Sequence, residues 1–429
     1  MKVINNPARE TWADITRRPV LDTKFLERTV ANILADVRTN RDAALRHCAR
    51  FFDKVELDVF EVSPAEFDEA DVLVSQELKD AIAVAKSNIE KFHAAELRDE
   101  RQIVETMPGV ECWRKAVAIE RVGLYVPAGS APLFSTVLML AIPARLAGCG
   151  EIVLCSPPDA SGKVDPVTLY TARLCGVTRV FKIGGAQAVG AMAFGTESVP
   201  RVYKIFGPGN QFVTEAKQQV TKYGVAIDMP AGPSEVAVLA DETAVPAFVA
   251  ADLLSQAEHG PDSQVILVTT SESLVAQTLE EVERQLAELP RKQIAEAALK
   301  NSKTIVVEDL ATGVDLLNEY APEHVIIATE NADEIAERIV NAGSVFVGNY
   351  SCESAGDYAS GTNHTLPTNG AARSFSGVSV ESFTKKITFQ RLTAEGIRGI
   401  GPAIEKMARA EGLNAHERAV SIRLESLGD

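Results

Sequence analysis

The spacing of apolar residues changes character along the chain. From about residue 20 to 105 they recur at helical intervals, through Phe25-Leu26 to Val37, Ala43 to Phe52 and Gln76 to Ala95. Charged residues between them, such as Glu90 and Lys91, form a solvated face. Pro108-Gly109 marks a turn, and alternation over 110–122 predicts extended backbone leading into a strand at 123–126. From there short apolar runs alternate with helical periods. Strands are predicted at 123–126, 152–155, 179–183 and 201–206, and helices at 135–146, 166–174, 186–194 and 210–221. After a break at Met229-Pro230-Ala231-Gly232-Pro233-Ser234, strands at 235–240, 264–269, 304–307, 324–327 and 344–347 enclose helices, one of them ending in Leu253-Leu254-Ser255-Gln256-Ala257-Glu258-His259-Gly260-Pro261. The others are at 272–286, 313–320 and 332–341. Strict alternation of such elements implies parallel sheets with crossover helices, here as two related α/β units.

Beyond residue 347 the pattern breaks. Residues 348–377 are rich in Gly, Ser, Asn, Asp and Thr with little period, and an irregular segment that long in a compact domain is usually functional. Strand-like alternation returns over 378–390. Two helices, 400–410 and 415–424, are hinged at Glu411-Gly412-Leu413-Asn414.

Composition narrows the function without naming it. With 429 residues the chain can hold two or three domains around a large core. A formal net charge of −16 and no basic run argue against a nucleic-acid partner. The most apolar stretch, 132–147, is broken by Pro143 and Arg145 and too short to span a bilayer. The N-terminus lacks an apolar signal core, so the expected location is the cytoplasm. Six cysteines, Cys48, Cys112, Cys149, Cys155, Cys175 and Cys352, show no C-x-x-C pair or zinc-finger spacing and are expected to be reduced.

The chemistry-bearing residues concentrate in few places. Gln256 and His259, three apart, are expected on one face of a helix stopped by Gly260. Glu323 and His324 stand before a strand, Asp357 and His364 in the irregular segment, and Glu411 and His416 at the C-terminal hinge. Four of the six histidines fall in these segments. Gln256, His259, Asp357 and His416 together would offer two nitrogens and two oxygens, a donor set suited to catalytic zinc. Spacing alone does not select that grouping over ordinary structural roles. Glu323 and His324 are adjacent groups of the kind that serve as general bases near neutral pH, or equally a turn carboxylate and a half-buried histidine. No G-x-G-x-x-G is present. Gly207-Pro208-Gly209-Asn210 and Gly184-Gly185-Ala186-Gln187 are strand-to-helix glycine turns that suit an anion, or simply a tight turn.

These residues lie within longer segments that resemble the histidinol dehydrogenase family over essentially the whole chain. The segments are G-L-Y-V-P-A-G-S-A-P-L-F-S-T-V-L-M at 123–139, K-I-G-G-A-Q-A-V at 182–189, F-G-P-G-N at 206–210 and D-M-P-A-G-P-S-E at 228–235. S-Q-A-E-H-G-P at 255–261, Y-A-P-E-H at 320–324, G-D-Y-A-S-G-T-N-H-T-L-P-T at 356–368 and E-G-L-N-A-H-E-R-A-V at 411–420 complete the set. The resemblance implies a zinc- and NAD-dependent, four-electron oxidation of L-histidinol through the aldehyde to L-histidine. It implies Gln256, His259, Asp357 and His416 as zinc ligands and His324 and Glu323 as the bases of the two oxidations. Ser234 and Glu411 match substrate-contacting positions, with His364 a further one, and the zinc ligands and both bases would also meet the substrate. Tyr125, Gln187 and Asn210 match NAD-contacting positions.

In fold, the resemblance implies an α/β chain with two Rossmann-like parallel-sheet domains facing a cleft. Residues 21–118 plus 236–378 would carry the metal and acid–base residues, and 119–235 would bind NAD. Residues 1–20 plus 379–403 would form a small linking domain, and 404–429 a helical tail used in dimerisation. The expected assembly is a homodimer with shared active sites, Glu411 and His416 reaching the partner's site. A paralogous zinc and NAD dehydrogenase of another amino or sulfonated alcohol, and a zinc hydrolase, are the alternatives. Retention of Ser234, Glu323, His324 and Glu411 favours histidinol.

Overall fold

The computed structural model describes residues 1–19, 23–97, 102–128, 132–230 and 232–428. The expected boundary at residues 20–21, and residues 129–131 and 231 of two matched segments, lie outside the described residues. The chain divides into one unit of Met1–Glu96 and Ile119–Phe383 and another of Leu97–Ala118 and Thr384–Asp429.

The larger unit holds two parallel sheets. The first runs in the order Arg179–Lys182, Glu151–Ser156, Arg121–Tyr125, Lys204–Phe206, Ala226–Ile227. Its earliest strand, Arg121–Tyr125, is central, and the chain winds outward on one side before crossing to the other, as in doubly wound folds. Both faces are covered, which is why the strands are almost wholly apolar. The helix Ser135–Ala147 buries every residue from Ser135 to Ala144. On the opposite face Leu26, Val30, Leu34 and Val37 of the helix Thr23–Asn40 pack with Val153, Ala188 and Val189. The N-terminal helix thus joins the core of the first sheet, although the expected division grouped it with the second.

The second sheet runs Lys2–Asn5, Lys303–Val306, Gln264–Thr269, Glu235–Ala240, His324–Ala328, Ser344–Val347, all parallel. Again the earliest strand of the run, Glu235–Ala240, is central, so both sheets share one winding order. Lys2–Asn5 adds an edge. One face packs on Val249 and Leu253 of Pro246–Ala257, the other on Trp12 and on Leu316, Leu317 and Tyr320 of Leu310–Tyr320. Among the described residues no helix is long and apolar enough to cross a membrane.

The smaller unit pairs Val110–Ala118 antiparallel with Thr384–Leu392 on one side and Val104–Met107 on the other. The alternation predicted over 110–122 is therefore two strands, Val110–Ala118 and Arg121–Tyr125, which belong to different sheets. Trp113 stacks on Phe389 with centroids 5.5 Å apart. The helices Ala394–Ala410 and Asn414–Ser426 pack together where Gly401 leaves room for Leu424 and Val420.

Candidate active site

The polar cluster forms where the central strands of the second sheet begin. Glu235 opens the strand Glu235–Ala240 and His324 opens its neighbour His324–Ala328. The backbone of Glu235 holds both members of the Glu323–His324 pair. Its N–H donates to Glu323 Oε2 (2.9 Å), and its carbonyl lies 3.1 Å from His324 Nδ1, which donates to it. With the proton on Nδ1, the lone pair of His324 Nε2 is directed into the site. That atom is buried without a hydrogen-bond partner, 3.8 Å from Asp357 Oδ1. Burial lowers the His324 pKa, only partly offset by the Asp357 charge, so the ring is neutral and able to accept a proton. Burial raises the Glu323 carboxyl well above its ordinary value, against the Glu235 N–H and with the charges of Glu235 and Asp357.

Gln256 and His259 depart from their expected arrangement. The helix Pro246–Ala257 ends before His259, with Glu258 as its C-cap. Gly260 does not take the left-handed backbone of a terminating glycine. His259 sits in the following turn, where its N–H donates to the Gln256 carbonyl (3.3 Å). Its ring reaches solvent, yet desolvation by surrounding protein lowers its pKa and favours the neutral, metal-binding form. Gln256 is buried. Its surroundings orient the amide nitrogen toward Glu353 (3.0 Å to Oε2) and the amide oxygen toward the Glu235 N–H (3.2 Å).

Glu353 is the residue that sequence reasoning missed. It shares the short helix Glu353–Tyr358 with Asp357, one turn away, and that i,i+4 pair of carboxylates was its signal. It is fully buried, and burial with the charges of Asp357 and Glu323 raises its pKa well above the carboxylate range. His259, Glu353 and Asp357 bring ligand atoms within 4.8 Å of one another. One imidazole and two carboxylates fit a zinc-type site, and a divalent cation would hold ionised the Glu353 carboxyl that burial drives toward neutrality.

His364 links this cluster to the first sheet. Its Nδ1 lies 2.8 Å from the Asp357 carbonyl and its Nε2 3.2 Å from Thr136 Oγ1, in the opening turn of Ser135–Ala147. Ser234 is half-exposed beside Glu235, its carbonyl accepting from the Gln264 N–H. Glu411 and His416 lie in the smaller unit. Glu411 caps Ala394–Ala410, His416 occupies the first turn of Asn414–Ser426, and both are exposed.

The expected dinucleotide residues gather at the carboxyl ends of the first sheet. Tyr125 closes its strand and its hydroxyl accepts the Gly185 N–H (3.1 Å), while burial pushes the phenol up to about 12. Gln187 is buried in the helix Gly185–Phe194. Asn210 is the N-cap of Gln211–Val220, its Oδ1 accepting from the N–H groups of Phe212 and Val213. Two donors that an anion could have used are therefore already satisfied.

Arg18 supports the cluster from behind. Its guanidinium meets Glu235 at 2.5 and 2.8 Å, donates to the Tyr320 carbonyl (2.9 Å) and lies 4.0 Å from the Tyr320 ring centroid. Glu235 is 2% exposed, so Arg18→Met leaves a buried carboxylate without its cation. The expected result is a loss of about 3 kcal/mol in unfolding free energy, seen as a lower urea midpoint at constant slope. An unchanged midpoint would show that Glu235 is compensated elsewhere.

Two doubly wound sheets, one with glycine turns at its carboxyl edge and one with a buried base beside a metal-type donor set, define an α/β protein with an enzyme-type centre. A model of the histidinol dehydrogenase family matches residues 16–424. The chain is 61% identical over 427 residues to a histidinol dehydrogenase of Bacteroides fragilis, covering 100% of each. It is 53% identical to one of Escherichia coli, over 99% of this chain and 97% of the other. The crystal structure of histidinol dehydrogenase from Elizabethkingia anophelis superposes with a TM-score of 0.97 at 57% identity, covering 100% of this chain and 99% of that one. The chain belongs to the histidinol dehydrogenase family.

Proposed function

We infer that the chain oxidises L-histidinol to L-histidine in two successive steps, consuming two NAD+ and one water and requiring zinc. The observation that carries this reading is the buried, unpartnered Nε2 of His324, set beside Glu323 and the His259–Glu353–Asp357 cluster. When bound, zinc would hold the substrate's imidazole and amine as a template, and NAD+ would accept a hydride in each step.

Gln256, His259 and Asp357 are the ligands this subunit contributes, with His416 supplied by the partner in a homodimer. His324 Nε2 takes the proton of the substrate hydroxyl as the carbinol hydride leaves, giving the aldehyde. The Glu235 carbonyl, bonded to Nδ1, stabilises the imidazolium that forms. Glu323 then removes a proton from the water that adds to the aldehyde. Once ionised, it is a stronger base than an exposed carboxylate because burial raises its pKa, and the Glu235 N–H fixes one of its oxygens. The hydrate loses the second hydride, and the carboxylate product results. Ser234, Glu411 and His364 line the substrate's position, and Tyr125, Gln187 and Asn210 that of the dinucleotide.

The test is a count of NADH. Limiting L-histidinol should yield two NADH per molecule, chelation should abolish the signal and added zinc should restore it. A yield of one, or indifference to chelation, would remove this mechanism. Glu323→Gln should lower the yield toward one and accumulate aldehyde, trapped by semicarbazide. A variant that still gives two at the normal rate assigns water activation elsewhere.

A further inference from the structure

The first sheet contains a buried ion pair that none of the chemistry above uses. Lys217, from the helix Gln211–Val220, meets Asp228 just beyond Ala226–Ile227 at 2.5 Å, with side chains 1% and 0% exposed. Both grip the same residue, Gly207. The Gly207 N–H donates to Asp228 Oδ2 (2.8 Å) and the Gly207 carbonyl accepts from Lys217 Nζ (2.8 Å). Asp228 Oδ1 also accepts from the Met229 N–H (2.7 Å). Gly207 lies at the switch point of the sheet with φ 123°, a left-handed-side conformation in which a Cβ would run into the Tyr125 carbonyl. It is the first residue of the Gly207-Pro208-Gly209-Asn210 turn.

A fully buried ion pair seldom adds net stability over apolar residues of the same volume, because desolvating both charges offsets their attraction. Here its geometric effect is plain. Both polar groups of one glycine are tied inward, and Pro208 has no N–H to compete, so the direction in which the turn leaves the sheet is fixed. That direction brings Asn210 to the head of its helix. We propose that Lys217 and Asp228 are positioning residues for the dinucleotide, clamping the Gly207–Asn210 turn in its ligand-receiving conformation before any ligand arrives. This rests on the reading that the first sheet takes NAD.

The test replaces the pair as a unit, K217M/D228L, in the full-length protein. The expected result is NAD+ binding and KM for NAD+ weakened about tenfold to a hundredfold, the scale of a misplaced binding group. Zinc content and histidinol affinity without NAD+ should stay at wild-type values, with kcat changed only a few-fold. The variant K217M/D228N keeps an acceptor for the Gly207 N–H and should recover part of the lost affinity. NAD+ binding equal to wild type in K217M/D228L overturns the proposal, as does a lowered melting point with unchanged KM. Amide hydrogen exchange on the wild type adds a measurement that needs no variant. Gly207 should be strongly protected in the NAD-free protein, and exchange at open-loop rates would overturn the clamp. Failure of the wild type to bind NAD+ at all would instead reject the assignment of the sheet.

Discussion

His324→Asn will slow histidinol oxidation by about a thousandfold, the scale expected for losing a general base. The substitution is chosen because the asparagine amide nitrogen can still reach the Glu235 carbonyl that now accepts from His324 Nδ1. The support from the neighbouring strand is kept while the lone pair at Nε2 disappears. Glu323 is bonded to the Glu235 N–H, and its nearer oxygen lies 3.7 Å from the Nδ1 side of the ring. Rapid-mixing measurement of the first NADH formed should show the loss in the chemical step, with zinc content and NAD+ affinity unchanged. A loss of less than tenfold would mean that another group deprotonates the alcohol, and the role given to His324 would fall.

The second large effect concerns His416. If each site takes His259 from one subunit and His416 from the other, His259→Asn and His416→Asn should each abolish zinc-dependent turnover. Equal parts of the two variants, unfolded and refolded together, form mixed dimers half the time. Each mixed dimer has one site with both histidines intact and one with neither, so the expected recovery is about one quarter of wild-type activity for a two-fold assembly. Zinc bound per chain should rise in the same proportion. No recovery, with mixed dimers demonstrated by mass, would place both ligands within a single chain.

The sheets were legible in the sequence because their strands are unbroken apolar runs. Glu235–Ala240, Gln264–Thr269 and Ser344–Val347 lie where the pattern put them. Elements without such a run were not seen. Lys2–Asn5 is an exposed edge strand. The helix Pro64–Leu73 has scattered apolar positions and was announced only by its Ser63–Glu66 capping box and N-terminal proline. Lys292–Asn301 was also missed, and the helix expected over 332–341 stops at Ala336. Within the site, the Glu323–His324 pair and Asp357 could be read because they stood beside a predicted strand or in a segment too irregular for structure alone. Glu353 was signalled only by its i,i+4 spacing to Asp357, which does not say that its carboxylate is carried inside to face His259. Glu235 and Arg18 were equally hidden. Their partnership spans more than two hundred residues of chain, and Glu235 acts on the acid–base pair through its backbone, which side-chain identity does not record.

Because the metal-type cluster sits where the strands of the second sheet begin, it also sits where the connecting helices end. Helix backbones carry partial negative charge at their C-termini and partial positive charge at their N-termini. The last carbonyls of Pro246–Ala257 therefore approach a place suited to a cation. At the first sheet the polarity is reversed, and Gly185–Phe194 and Gln211–Val220 present the positive ends of their dipoles at the carboxyl edge. His364, in contact with both Asp357 and Thr136, stands between the two fields. A hydride leaving the substrate for a nicotinamide would travel from the negative rim of one sheet to the positive rim of the other, a direction in which the backbone itself assists the movement of negative charge.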